Sequence, residues 1–483
     1  MAAEHVDVLI VGAGLSGIGA ASHLRERLPG KSFVILEGRG AIGGTWDLFR
    51  YPGVRSDSDM FTLGYAHKPW TAPKSIADGD SIRDYIREAA AESGVDRHVR
   101  FHHRVVSAEW STPDARWTVT AERSDTGEVA VFTAGFLFAC TGYYRYEHGY
   151  TPEFPGVDDY RGTLVHPQLW PEDLDWTGKK VVVIGSGATA VTLVPSMAGA
   201  AEHVTMLQRS PSYVLTLGSR DPIADFARKW LPAKVAYPVI RWKNVLMATA
   251  FYQLSKRRPA FVKNLLRKDA ARRLPADFDL DTHFKPRYDP WDQRVCFVPD
   301  GDLFRALRKG NASVVTDRIE TFTETGLRLE SGAELEADVV VTATGLDVLM
   351  LGGMTVSVDG EKVDPADTVA YKGMMLGGVP NAALAVGYTN ASWTLKIDLV
   401  SEYVCRLLKH MDAKGVRIVT PKTPAASVGR VPFLDLQAGY VQRAAATLPQ
   451  QAEVAPWRLR QNYPADVRTL RYGPVDDAVE FSR

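Results

Sequence analysis

The sequence predicts an α/β protein made of two Rossmann-like dinucleotide-binding domains, with a helical insertion in the second. Two observations carry this expectation. A buried-strand pattern, Val6-Asp-Val-Leu-Ile-Val11, runs directly into Gly12-Ala-Gly14-Leu-Ser-Gly17 and then into an Ala-rich helical stretch to about Leu28. About 170 residues later the arrangement recurs: Lys179 to Ile184 reads as a buried strand and is followed by Gly185-Ser-Gly187-Ala-Thr-Ala190. Two such units imply two dinucleotides.

Bulk properties agree. The chain has 483 residues, more than the roughly 250–300 at which a single core stops growing. Lys plus Arg and Asp plus Glu both number 57, so there is no general pull toward nucleic acid or anionic membranes. Cys140, Cys296 and Cys405 form no CxxC. Their spacing argues against a zinc ribbon, any other metal centre of that type, or a dithiol redox pair, and suits a reducing cytoplasm. The apolar N-terminus lacks a basic n-region, and no run reaches the ~18 apolar residues of a spanning helix, so neither export nor insertion is expected.

In the first unit the three glycines serve a tight turn, close approach of backbone to pyrophosphate, and helix–strand packing, with the helix N-terminus facing the phosphates. Gly12, Gly14, Ser16 and Gly17 are therefore candidate cofactor-binding residues. A second strand, Ser32 to Leu36, ends in Glu37, where an acidic side chain meets a ribose hydroxyl. Ile42 to Asp57 is a Gly- and Pro-containing loop. Ser81 to Ser93 reads as an amphipathic helix, and Phe101 to Phe138 as antiparallel strands around Thr126-Gly127.

In the second unit Gly185, Ser186, Gly187, Ala188 and Thr189 form the phosphate turn. The next strand, His203 to Gln208, ends in Arg209-Ser210 where the first unit has Glu37. An arginine there accommodates a 2′-phosphate, which points to NADPH rather than NADH. From Asp221 to Pro275 the pattern is helical and basic with interleaved aromatics; a membrane-surface face is possible on that composition, but aromatics packed on a substrate mouth with solvated charges are favoured. His283 to Leu303 is rich in loop formers, and residue type alone does not choose among Arg287, Arg294 and Arg305 as a functional cation. Ala337 to Val341 is a further buried strand before Thr342-Ala-Thr-Gly345, and from about Val400 the pattern is a long helix and an uninformative tail.

Two stretches match fingerprints. Gly162, His166, Trp170 and Pro171, with Tyr160 in place of Phe, follow FxGxxxHxxxW-Pro, and Gly43, Gly44, Trp46, Tyr51, Pro52, Gly53 and Asp57 follow GGxWxxxxYPGxxxD. Both resemble the type I Baeyer–Villiger monooxygenases, class B flavoprotein monooxygenases. Pro290-Trp-Asp-Gln-Arg294 and Tyr388-Thr-Asn-Ala-Ser-Trp393 are similar to the ethionamide-activating subgroup of that family.

The resemblance implies FAD and NADPH as cofactors. It implies that Gly44, Thr45, Trp46 and Asp47 meet the FAD, that Arg55 to Asp57 lie between flavin and nicotinamide, that Val106 contacts the adenine by backbone, and that Trp393 lies near substrate or ribose. Arg294 is implied as the catalytic cation beside a C4a-peroxyflavin, Asp57 as the carboxylate that holds it, and His166 as a hinge residue. The implied division is 1–144 and 346–483 for FAD and 145–345 for NADPH, with residues 215–289 as the insertion. The implied reaction takes O2 and a small-molecule ketone to an ester or lactone, with sulfoxidation as a side activity. Alternatives are an S- or N-oxygenating flavin monooxygenase, and a flavoprotein reductase that oxygenates nothing.

Overall fold

The computed structural model describes residues 3–434 and 436–483. Its first part runs β1 (Glu4–Val11), α1 (Leu15–Arg27), β2 (Phe33–Leu36), α2 (Gly79–Ser93), β3 (Val99–Arg100), β4 (His103–Ser111), β5 (Arg116–Arg123) and β6 (Val129–Ala139). β6, β1, β2 and β3 lie side by side in parallel, with Ile10 opposite both Ile35 and Phe138. The β4–β5–β6 meander continues the same nine-stranded sheet in antiparallel sense. The apolar run of β1 is buried on both faces, Val8 and Ile10 in a cluster with Ile18 and Leu24 of α1 and Leu9 and Val11 in one with Trp117 and Val119 of β5, and each buried Val or Ile there contributes roughly 1.5–3 kcal/mol.

The second unit is a five-stranded parallel sheet. It contains β7 (Thr163–Val165), β8 (Lys180–Ile184) with α3 (Ala188–Met197), and β9 (His203–Gln208), followed by a parallel pair, β10 (Val214–Leu217) and β11 (Cys296–Pro299). Between β10 and β11 the chain makes α4 (Pro222–Trp230), α5 (Ala233–Arg257) and α6 (Pro259–Ala271). Val214 lies opposite Cys296, so the insertion leaves and re-enters the unit at one point. After α7 (Asp302–Lys309), β12 (Ala312–Thr316) and β13 (Val339–Thr342) complete the order β12-β9-β8-β13-β7. The chain then returns to the first unit, where β14 (Ala382–Leu384) pairs with β6 and α8 (Trp393–Lys414) packs along α1.

Three expectations are corrected. The stretch from His283 to Leu303 is not all loop: Cys296–Pro299 alternates buried and part-buried as β11, and Asp302 begins α7. The long helix starts at Trp393, not near Val400. The residues beyond it are not a passive tail, because Tyr440 and Arg443 return to the central cavity and Asp466 receives the buried Lys396 ammonium at 2.7 Å. Among the described residues no helix is long and apolar enough to cross a membrane.

Candidate active site

Both glycine turns open onto one cavity of about 1310 Å³, larger than the ~300–1,000 Å³ of ordinary ligand pockets. The two turns are built alike. Gly12 has φ +102° and a Cβ there would sit 2.6 Å from the Cys140 carbonyl oxygen; Gly185 has φ +144° and a Cβ would strike the Ala343 carbonyl oxygen. In each case the first glycine lets the turn pass under the strand end next to it, a conformation that side chains rarely adopt. Gly17 packs on the Gly12 carbonyl, which is the helix–strand contact expected of a third glycine.

The helices that follow have open N-termini. Gly14 begins α1 and Gly187 begins α3, and neither end has a side-chain cap. Their first-turn N–H groups form two anion-binding sites on the cavity wall. Glu37 is buried at the end of β2 and accepts from Ala13 N at 2.7 Å and Arg39 N at 2.9 Å. Burial pushes its carboxyl pKa up even though those N–H groups pull the other way. Arg209 and Ser210, at the end of β9, line the opposite end of the cavity, and Ser210 O accepts from Ser186 Oγ at 3.0 Å.

The guanidinium of Arg294 lies on the wall between the two turns. Its Nη1 donates to Asp57 Oδ2 at 2.9 Å and its Nη2 to Tyr143 Oη at 3.5 Å. Burial alone would weaken its charge, but the surrounding Tyr440, Tyr143 and Asp57 outweigh burial and hold its pKa well above the ordinary value. The side chain is 31% exposed, toward the cavity. Tyr143 stacks on Trp393 with ring centroids 5.1 Å apart, and the Trp393 indole N–H donates to Ser16 Oγ at 2.8 Å. Arg55 also lines the cavity; it is paired with Asp302, yet its Nη2 is buried and has no partner among the described residues.

Most of the expected residues meet here. Gly12, Gly14, Ser16, Glu37, Gly44, Thr45, Trp46, Arg55, Asp57, Gly185 to Thr189, Arg209, Ser210, Arg294 and Trp393 all line the cavity. Two do not. Asp47 is not on the lining, and its carboxylate is clamped by Arg39 at 2.8 Å, Arg50 at 3.1 Å and Arg87 at 2.9 Å, which anchors the loop. Val105 lines the wall in place of Val106, since the register of β4 slips against β5 between Val105 and Ser107 and re-aims the strand. Sequence reading missed Tyr144, Tyr146, Tyr440 and Arg443. The first two follow Cys140-Thr-Gly142 directly, which is a signal; the last two carry none.

His166 does not reach the Arg294 pair. Its Nε2 lies 3.2 Å from the Gly345 carbonyl, tying the linker between the units to the point where the chain crosses back. Burial lowers its pKa, with the Gly345 contact opposing, so the ring is neutral near pH 7. Trp170 is buried against Trp176, and Tyr160 donates to the Ala337 carbonyl.

Family comparison fits this geometry. The flavin-binding monooxygenase-like model matches residues 71–386, and an NAD(P)-binding Rossmann-like model matches residues 10–69. The chain belongs to the flavin-binding monooxygenase-like family. Within that family it is 56% identical to the FAD-containing monooxygenase EthA of Mycolicibacterium smegmatis, covering 98% of this chain and 96% of the relative. It is 51% identical to the putative FAD-containing monooxygenase MymA of Mycobacterium tuberculosis, covering 99% and 97%. It is 48% identical to the probable FAD-binding monooxygenase AlmA of Acinetobacter baylyi, over 99% and 96%. The fold is that of a steroid monooxygenase bound to NADP, with TM-score 0.75, 24% identity and coverage of 99% and 100%. A cyclohexanone monooxygenase is alike, with TM-score 0.75 at 22% identity and the same coverage.

Proposed function

We propose that this chain is an FAD- and NADPH-dependent Baeyer–Villiger monooxygenase. It uses O2 to insert one oxygen beside a ketone carbonyl, giving an ester or lactone, and oxidises sulfides as a side activity. The observation that carries the reading is the Arg294–Asp57 pair on the wall of the single cavity shared by both glycine turns.

The donor set suits the two dinucleotides. The 1–144 and 346–483 unit would hold FAD, the open end of α1 taking its pyrophosphate, Glu37 a ribose, and Thr45 and Trp46 the flavin. The 145–345 unit would hold NADPH, the open end of α3 taking its pyrophosphate and Arg209 and Ser210 its 2′-phosphate. Arg55, which lines the cavity, would stand between the two. Bound FAD, reduced by NADPH, supplies the oxidant from O2, while the protein supplies orientation, charge and exclusion of water. Arg294 keeps a fixed positive charge where negative charge gathers on the attacked carbonyl oxygen, as an oxyanion hole does. Asp57 fixes the guanidinium's direction without filling its remaining donors.

The test is product analysis with labelled oxygen on a ketone and a sulfide, alongside anaerobic reduction by NADPH. Ester carrying one labelled oxygen is the expected result. Sulfoxide alone would favour an S-oxygenating enzyme, and NADPH consumption matched by hydrogen peroxide with no labelled product would indicate a reductase. Arg209→Gln should raise the KM for NADPH roughly ten- to a hundredfold by removing a charged hydrogen-bond partner, with kinetics on NADH little changed. Equal losses with both coenzymes would remove Arg209 from 2′-phosphate recognition.

A further inference from the structure

The insertion between β10 and β11 does not fold as its composition suggests. Of the aromatics expected on the substrate mouth, Phe251 and Tyr252 pack on Trp291 beside Phe297 of the cavity wall, but Trp230 on α4 is 66% exposed and Phe261 on α6 59%, and Phe226 on α4 is also 66% exposed. None of α4, α5 or α6 contributes to the cavity wall. On α5 the residues Val235, Val239, Trp242 and Leu246 recur at helical spacing and all face outward, while Ala236, Tyr237, Ile240, Arg241 and Val245 form the buried face. Ile223, Phe226 and Trp230 make a second outward stripe on α4. Asp221, which caps α4, pairs with Lys243 on α5, so the two helices pack antiparallel and each carries an exposed apolar stripe. Of nineteen exposed large hydrophobic residues among those described, twelve fall between Ile223 and Leu265. A concentration of this kind marks an interaction surface.

Charge identifies the occupant. Residues 221–275 hold thirteen Lys and Arg against three Asp, in a chain whose net charge is zero. Seven of those cations are ion-paired. The other six, Lys229, Lys234, Arg257, Arg258, Lys268 and Arg272, have no carboxylate in salt-bridge range among the described residues and are exposed on the same three helices or at their ends. A second copy of the chain would bring the same cations face to face, which is repulsive. An anionic lipid leaflet satisfies both the apolar stripes and the cations on the same helices.

We propose that α4, α5 and α6 form an in-plane docking face for anionic phospholipid membranes. The face lies flat on the bilayer, as no helix here can span it. The opposite side of α5 is fixed by Arg241 to the Phe61 and Gly64 carbonyls, and Leu63 between them lines the cavity. The inference stands on the surface alone and holds whatever reaction the cavity performs.

The experiment is co-sedimentation of the holoprotein with vesicles of phosphatidylglycerol and phosphatidylcholine in equal parts, and with phosphatidylcholine alone. The protein should pellet with the anionic vesicles and stay in solution with the neutral ones. Neutralising three cations, Lys234→Gln, Arg257→Gln and Lys268→Gln, should weaken binding about fivefold each, on the order of a hundredfold together. Phe226→Ser with Trp230→Ser should weaken it at least ~tenfold. Both variants replace exposed side chains, and unchanged flavin absorbance and melting temperature will show that they fold. Three results would each overturn the proposal. They are wild-type protein that stays in solution with both vesicles, binding that none of the substitutions alters, and a dimer in sedimentation equilibrium that Trp230→Ser dissolves while vesicle binding is nil.

Discussion

Arg294→Ala is expected to lower ester formation by about 10²–10³-fold, the usual cost of deleting one preorganised donor to a developing oxyanion, while NADPH oxidation continues and ends in hydrogen peroxide. The reason lies in where the charge sits. Arg294 is held on one side by Asp57 at 2.9 Å and on the other by Tyr143 at 3.5 Å, so it is aimed into the cavity before any ligand arrives. Its pKa stands well above the ordinary value despite the burial, so it stays charged throughout the working pH range. Arg294→Lys keeps the charge but not the two-sided hold, because one ammonium on a flexible stem replaces a rigid planar fork. It should retain part of the product yield, with more peroxide lost. Asp57→Asn should give a milder version of the same loss, since it removes the carboxylate while leaving the cation in place. Ester yield from Arg294→Ala equal to that of the wild type, in protein that still takes up flavin, would remove Arg294 from the chemistry.

The sequence was most informative where local chemistry decides structure. Gly12 and Gly185 are required by positive φ and a neighbouring carbonyl, so a strand–glycine–helix pattern finds both turns without any knowledge of the rest of the chain. The pairing of Asp57 with Arg294 spans 237 residues, and neither residue carries a local signal for the other; a family fingerprint supplied it. Tyr440 and Arg443 reach the cavity from the far end of the chain on a short helix, Gly439–Ala444, whose sequence has no marker of function. Asp47 misled for a related reason. Its position in the loop suggests a ligand contact, but Arg87, 40 residues away, completes a three-arginine clamp on the carboxylate. α5 is a different case. It is apolar on both faces, so its period cannot say which face is buried, and only the partners of Arg241 show it.

Those partners lead to the second large effect. Asp398 on α8 is buried and accepts from Arg241 Nη2 at 3.1 Å and from His23 Nε2 at 3.1 Å, so one carboxylate joins the insertion, α8 and α1. Asp398→Ala leaves the buried Arg241 without its counter-charge, a change that costs about 3–5 kcal/mol, whereas an exposed pair is worth ~0–1 kcal/mol. Arg241 keeps its contacts to the Phe61 and Gly64 carbonyls, so local opening of α5 away from the first unit is expected before global unfolding. Amide exchange across residues 237–245 should accelerate about a hundredfold to several-thousandfold, with β1 and β6 unaffected. The pH dependence has a fixed sign. Burial tends to raise the Asp398 pKa, but the hydrogen bond and charge of His23 and the charge of Arg241 outweigh it and set the folded value below the ordinary one. Its contribution is therefore complete above the unfolded carboxylate value of about 3.9 and is lost as pH falls through the lower folded value. Asp398→Ala should accordingly flatten the acid limb of the stability profile. Unchanged exchange in α5, or a variant whose stability falls with acid as steeply as that of the wild type, would show that Asp398 is not what holds the insertion in place.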